Sequence, residues 1–207
     1  AAYRRLARQG VATLASFLQR RGYRTICVHP YAASFYDRHK VFPCLGFDEF
    51  IDIGSFAGAA RSGPYVGDLA VAEKVCSLLK RAGEQPLFIF VISMENHGPL
   101  HLETVLPDEA KRFYSTPPPA GCDELTVYLR HLRNADRMAG MLRAGLEALP
   151  GRGGLCWFGD HVPIMPEVYR RLGAPAGQTD YFIWRKRGPA GLERPQRQQA
   201  GQGARRD

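Results

Sequence analysis

The segment Leu87-Phe88-Ile89-Phe90-Val91-Ile92 is apolar at every position, and it constrains the fold more than any other stretch of the chain. A strand with one wet face alternates polar and apolar side chains, so an unbroken run of this length fits a parallel strand covered on both faces. The run is too short to cross a bilayer, which takes roughly 20 apolar residues. It empties into Ser93-Met94-Glu95-Asn96-His97-Gly98-Pro99, where polar groups crowd a turn.

The elements around this run alternate in type. Leu6, Val11, Leu14, Phe17 and Leu18 recur at helical spacing and predict a helix over residues 3–21, closed by Gly22. A short strand, Thr25 to Val28, stops at His29-Pro30, because proline has no N–H for a ladder. A helical turn is expected from about Ser34 to Phe42, then an aromatic segment from Phe47 to Ile53. A helix follows from Asp68, a good N-cap type, to Ala82. Beyond a proline-rich loop, the pattern gives a helix from Asp123 to Leu149, a buried strand from Leu155 to Phe158, a short helix near Glu167 to Leu172 and a strand from Asp180 to Trp184. The fold class is therefore α/β, a mainly parallel sheet with helices on both faces. Residues 1–187 make one domain, and residues 188–207, rich in Gly, Gln, Pro and Arg, have the composition of a disordered basic tail.

The formal charge of +8 raises the question of nucleic acid. Seven basic residues between 185 and 207 stand against Glu193 and Asp207, so that end carries +5 and residues 1–184 only +3. No aromatic-and-basic stripe accompanies the charge, and no nucleic-acid partner is expected. The five cysteines include no Cys-x-x-Cys pair and are odd in number, which supports neither a zinc ribbon nor a full disulfide framework. Cys27 and Cys156 fall in strands that read as buried, where a thiol acts as a small hydrophobe.

Open α/β sheets bind ligands beyond the carboxyl ends of their strands. His29, His97 and Asp160-His161 each follow a separate strand, so all are expected on one rim. Carboxylate oxygen with imidazole nitrogen is a common ligand set for a divalent metal, which makes Asp160 and His161 candidate ligands; the plainer alternative is that Asp160 caps the next helix. His97 can steady negative charge or protonate a leaving group near neutral pH. Glu95, in the same turn, is the weaker candidate and reads also as a solvated turn residue. In Ser34-Phe35-Tyr36-Asp37-Arg38 a guanidinium sits among aromatic rings, which suits phosphate or sulfate through forked donors and excluded water; a surface turn is the alternative. No nucleophile is visible: there is no Gly-x-Ser-x-Gly and no phosphate-cradling glycine loop.

Five segments, in order, resemble the lipoteichoic acid synthase and phosphoglycerol transferase branch of the sulfatase/alkaline phosphatase superfamily. They are Gly22-Tyr23-Arg24-Thr25 leading to His29, Ser34-Phe35-Tyr36-Asp37-Arg38, Leu45-Gly46-Phe47-Asp48-Glu49-Phe50-Ile51-Asp52, Met94-Glu95-Asn96-His97-Gly98-Pro99, and Phe158-Gly159-Asp160-His161. The resemblance covers about residues 15–185. It implies an enzyme anchored in the bacterial inner membrane and working on its periplasmic face, in which a divalent metal (manganese, magnesium or zinc) activates a Thr or Ser nucleophile. That residue takes a phospho-head group from a phospholipid donor and passes it to an envelope or capsule glycan acceptor. On this likeness Asp160 and His161 match two metal ligands, His97 a substrate or leaving-group contact, and His29, Phe35 and Arg38 residues around the head group. The family's nucleophile and an acidic metal ligand precede the Gly22-Tyr23-Arg24-Thr25 strand by more residues than this chain has, and Tyr36 replaces a frequent tryptophan. The expectation is a partial catalytic domain, soluble as given and inactive alone, whose parent reaches the membrane through a preceding region. A sulfatase or phosphodiesterase-type hydrolase, or a non-catalytic remnant, are the alternatives.

Overall fold

The computed structural model of the chain describes residues 10–186. In chain order the elements are α1 (Leu14–Gln19), β1 (Arg24–Val28), a 3-10 turn (Phe35–Asp37), α2 (Arg38–Cys44), β2 (Glu49–Ile51), β3 (Arg61–Ser62), β4 (Tyr65–Val66), α3 (Asp68–Arg81), β5 (Leu87–Val91), α4 (Glu109–Phe113), α5 (Asp123–Ala148), β6 (Gly154–Phe158), α6 (Pro166–Leu172) and β7 (Tyr181–Arg185). The helix expected over 3–21 begins, within the described residues, only at Leu14. Thr13 is extended, and its hydroxyl accepts the Ser16 N–H while the Ser16 hydroxyl accepts the Thr13 N–H, a reciprocal cap that fixes the start.

Strands β2, β1 and β5 form a parallel sheet with β1 in the middle, Cys27 lying opposite both Phe50 and Phe90. Alternate residues face opposite cores. Ile26 and Val28 of β1, with Leu87, Ile89 and Val91 of β5, meet Val71, Ala72 and Val75 of α3 and Met138 and Leu142 of α5. Cys27, Phe88, Phe90 and Ile92 face the other way, onto Ala15 of α1, Phe42 of α2 and Phe47. The β5 run is apolar throughout because helices cover both of its faces. Each fully buried aliphatic side chain here contributes about 1.5–3 kcal/mol of transfer free energy.

Two sequence expectations need correction. The strand expected to be buried, β6, pairs antiparallel with β7 in a separate two-stranded ribbon. Leu155 and Trp157 pack on the core shared with β5, and Trp157 stacks on Phe182, but Cys156 and Phe158 on the opposite face are exposed. Only one side of this ribbon is covered, so Cys156 is not a core hydrophobe. Asp68, expected as an N-cap, is the first residue of α3; Gly67 holds the cap, and the Asp68 N–H donates to Oε2 of Glu95 at 2.6 Å. Among the described residues no helix is long and apolar enough to cross a membrane. The tail expected over 188–207 lies outside the described residues.

Candidate active site

His29 follows β1 directly and is fully buried. Its Nδ1 stands 2.8 Å from the Ile92 carbonyl at the end of β5, and its Nε2 stands 2.5 Å from Nη1 of Arg38. A carbonyl can only accept and a guanidinium can only donate, so the ring is the neutral tautomer with the proton on Nδ1. Burial lowers its pKa, the Ile92 carbonyl opposes that, and the neighbouring Arg38 and His97 lower it further. His29 thus orients Arg38 without repelling it.

Arg38 starts α2, and its guanidinium lies 5.3 Å from the Phe35 ring and 5.6 Å from the Tyr36 ring. Tyr36 and Asp37 precede it at φ 56° and 51°, left-handed values for which non-glycine residues strain by something on the order of 1–3 kcal/mol each. The pair of left-handed residues folds the shelf of Phe35 and Tyr36, 4.3 Å apart and half exposed, next to the guanidinium.

The β5 turn presents His97 at the surface. Its Nδ1 lies 2.8 Å from the Gly98 carbonyl, so that nitrogen carries the proton and Nε2 remains the basic one. Tyr65 of β4 packs edge-on against this ring at 6.0 Å and donates its hydroxyl to the Gly98 carbonyl at 3.0 Å. On the other side the His161 ring meets His97 edge to face at 6.3 Å. Asp160 and His161 follow β6, with side chains 78% and 57% exposed, and Asp160 Oδ2 lies 3.6 Å from His161 Nε2. The His161 Nδ1–H donates to the Val162 carbonyl at 3.0 Å, which leaves the Nε2 lone pair beside the carboxylate. Two donors on one tetrahedral ion at about 2.1 Å stand roughly 3.4 Å apart, so the pair fits a shared metal. Among the described residues no group of three His, Cys, Asp or Glu gathers to hold an ion, so the described residues offer two donors there. Asp160 does not cap α6, whose cap is Met165.

The rim expected from the strand ends therefore exists, and two tyrosines that the sequence reading passed over join its parts. Tyr31 lies 6.0 Å from His29, 5.3 Å from Phe35 and 6.4 Å from Tyr65, which in turn touches His97. A second feature also went unseen. Glu95 is no solvated turn residue: it is fully buried, and its Oε1 lies 3.0 Å from Nδ1 of His131 and 2.6 Å from Nδ2 of Asn134, both on α5. His131 Nε2 reaches Glu103 Oε1 at 3.0 Å. These bonds hold Glu95 ionised and raise the His131 pKa against its own burial. Asp68, buried beside Glu95, has its carboxyl raised to about 7 by burial and by the neighbouring charge. His131 shares the inner face of α5 with Val127, Ala135 and Met138, where a lone imidazole was the available sequence signal.

The model of the sulfatase family matches residues 3–202 of the chain. The capsular polysaccharide biosynthesis protein RkpI of Rhizobium meliloti (strain 1021) is 33% identical over 168 residues, 80% of this chain and 28% of RkpI. Among solved structures, the lipoteichoic acid synthase LtaP of Listeria monocytogenes has the same fold, with a TM-score of 0.65 at 21% identity over 89% of this chain and 48% of LtaP. The phosphoglycerol transferase GacH of Streptococcus pyogenes, solved with sn-glycerol-1-phosphate, gives 0.63 at 25% identity over 79% of this chain and 44% of GacH. The chain thus spans under a third of RkpI and under half of either solved chain.

Proposed function

The chain belongs to the sulfatase family, and from that premise we propose that it is part of a metal-dependent transferase moving a phosphoglycerol or related phospho-head group from a phospholipid onto an envelope or capsule glycan. The observation that carries this reading is Arg38, oriented by neutral His29 and flanked by the Phe35–Tyr36 shelf. The glycerol phosphate in the GacH structure and the capsular role in the name of RkpI support it.

In this reading Arg38 gives forked N–H donors to the phosphoryl oxygens, and the flanking rings keep water from competing. His29 holds the guanidinium and, being neutral, adds no proton of its own. His97, with Nδ1 tied to Gly98, offers Nε2 to the bridging oxygen and, when protonated, passes a proton to the departing alkoxide. Asp160 and His161 would hold the metal, which supplies Lewis acidity toward the phosphoryl oxygens and lowers the pKa of a coordinated hydroxyl. The Thr or Ser that accepts the head group is assigned to a region outside these residues, as is the membrane anchor, with the centre on the periplasmic face. The 207-residue chain alone is accordingly inactive in this proposal.

The deciding experiment follows labelled glycerol phosphate from phosphatidylglycerol to glycan with the full-length protein. Transfer that requires a divalent metal and is lost in Arg38→Ala and Asp160→Ala is expected. Release of the label to water, or hydrolysis of a sulfate ester instead, would make the protein a hydrolase. Turnover by the 207-residue chain alone would overturn the assignment of the nucleophile.

A further inference from the structure

The loop that carries His97 is tied to the body of the protein by a buried ionic clamp that the proposed chemistry does not itself use. Glu95 lies two residues before His97, and its carboxylate receives three donors from two elements: the Asp68 N–H at the start of α3, and the Asn134 amide and the His131 ring, both on α5. The turn between Glu95 and His97 is closed by the His97 N–H, which donates to the Met94 carbonyl at 2.9 Å. Asn96 also reaches Asp68 Oδ2 at 3.4 Å. His131 has a second carboxylate on its other nitrogen: Glu103, in the segment beyond the same loop. Both ring nitrogens meet acceptors, and a ring that donates from both is an imidazolium.

The charged and polar groups around this ring come from several elements. Glu95 and Glu103 flank it; Asp68 faces it from α3; Ser62 of β3 lies 3.3 Å from Nδ1; and Arg130, next to His131 on α5, is paired with Glu109 at 3.3 Å and stands 4.0 Å from Glu103. The side chains of His131 and Glu95 have no exposed surface, whereas Glu103 is 13% exposed. A buried carboxylate left without its cation costs several kcal/mol, so the Glu95 end of the clamp cannot be opened cheaply. A hydrophobic contact would hold the loop equally well in position but would not fix it to one charge state.

We propose that His131 is a positioning residue for His97: as an imidazolium bridging Glu95 and Glu103, it clamps the segment between β5 and α4 on both sides of His97 and holds the His97 ring against Tyr65 and His161. The inference rests on the reading of His97 as a head-group contact. The geometry gives the clamp a property that plain packing lacks. If His131 gives up its Nε2 proton, the bridge to Glu103 opens and Glu95 is left with neutral donors only, which loosens the loop next to His97.

The test uses Glu103→Gln, which keeps an acceptor for Nε2 at the more accessible end and removes one charge. Nitrogen-15 spectra of the histidine rings in the 207-residue chain are expected to show wild-type His131 doubly protonated from pH 6 to 8. In Glu103→Gln its midpoint drops by about one pH unit or more, and the His97 amide resonance moves with that titration. A neutral His131 ring in the wild type, or a His97 amide that ignores the titration, overturns the proposal. In the full-length protein the variant's kcat is expected to fall about tenfold between pH 6 and 8, with KM changed less than about twofold and the wild type flat with respect to His131. Loss of thermal stability with an unchanged pH profile would show a merely structural role and also overturns it. Absence of transfer in the wild-type protein would sink the functional reading alone, since the spectra of the chain decide the clamp independently.

Discussion

Arg38 and His29 meet through a guanidinium N–H and an unprotonated imidazole nitrogen 2.5 Å apart, with the other side of the ring committed to the Ile92 carbonyl. Protonating His29 would set two cations against each other inside the fold. Its pKa is below the ordinary 6.5 through burial first and then Arg38 and His97. An imidazole with a depressed folded pKa contributes stability that is present above 6.5 and lost as pH falls from there through the folded value. Asp68, with its carboxyl raised to about 7, runs the opposite way, gaining relative stability as pH falls. The difference between wild-type and His29→Gln melting curves therefore isolates the histidine. The wild type is expected to lose melting temperature faster between pH 7 and 5, and parallel curves would refute this.

Arg38→Lys keeps the charge and discards the fork. A single ammonium on a flexible stem cannot both accept orientation from His29 and give two parallel donors to a phosphate. A charge-assisted hydrogen bond contributes about 1.5–3 kcal/mol, so affinity of the full-length protein for sn-glycerol-1-phosphate is expected to fall about tenfold or more. The guanidinium sits at the rim and not in the core, so the melting temperature should move little. Calorimetric titration of both proteins checks the affinity; equal affinities would remove Arg38 from the head-group site.

The exposed Asp160–His161 pair makes a complementary case. Neither side chain contributes to the core, so Asp160→Ala and His161→Ala should each change stability by no more than about 0.5 kcal/mol. Both should nevertheless abolish whatever manganese or zinc binding the chain retains, because removing one of two donors leaves a single monodentate contact. Calorimetry of the 207-residue chain with each metal decides it, and metal binding that survives both changes would place the ion elsewhere.

The sequence was most legible where one physical demand acted alone. The β5 run had to be covered on both faces, and His29 and His97 had to share a rim because each follows a strand of one open sheet, whereas Asp160-His161 reaches that rim from the separate β6–β7 ribbon through the contact of His161 with His97. It was least legible where the outcome depends on neighbours far along the chain. The apolar letters of β6 do not say how many strands or helices will cover it, and half of them face outward. Tyr31 and Tyr65 become part of the site only through ring contacts between separate segments. Glu95 looked like a turn carboxylate because its partners, His131 and Asn134, lie on a helix whose own pattern reads as ordinary core.

Gly46 supplies the sharpest stability prediction. It lies between α2 and β2 at φ +90°, where an L side chain is strained, and a Cβ built there would stand 2.5 Å from the Ser16 Cα and backbone nitrogen in α1. The same carbonyl region is functional in the fold: the buried Thr25 hydroxyl donates to the Gly46 oxygen at 2.8 Å, so the backbone cannot simply swing away. Left-handed strain costs about 1–2 kcal/mol for a non-glycine residue, and forcing apart packed backbone adds about 1–3 kcal/mol. Gly46→Ala is therefore expected to destabilise the chain by about 2–5 kcal/mol in urea unfolding. Gly83, at φ +60° with nothing within 4 Å of an added Cβ, is the control. Gly83→Ala carries the strain without the collision, and its cost should stay near the lower figure alone. Equal losses at the two positions would show that the contact between α1 and the Gly46 turn does not constrain the fold.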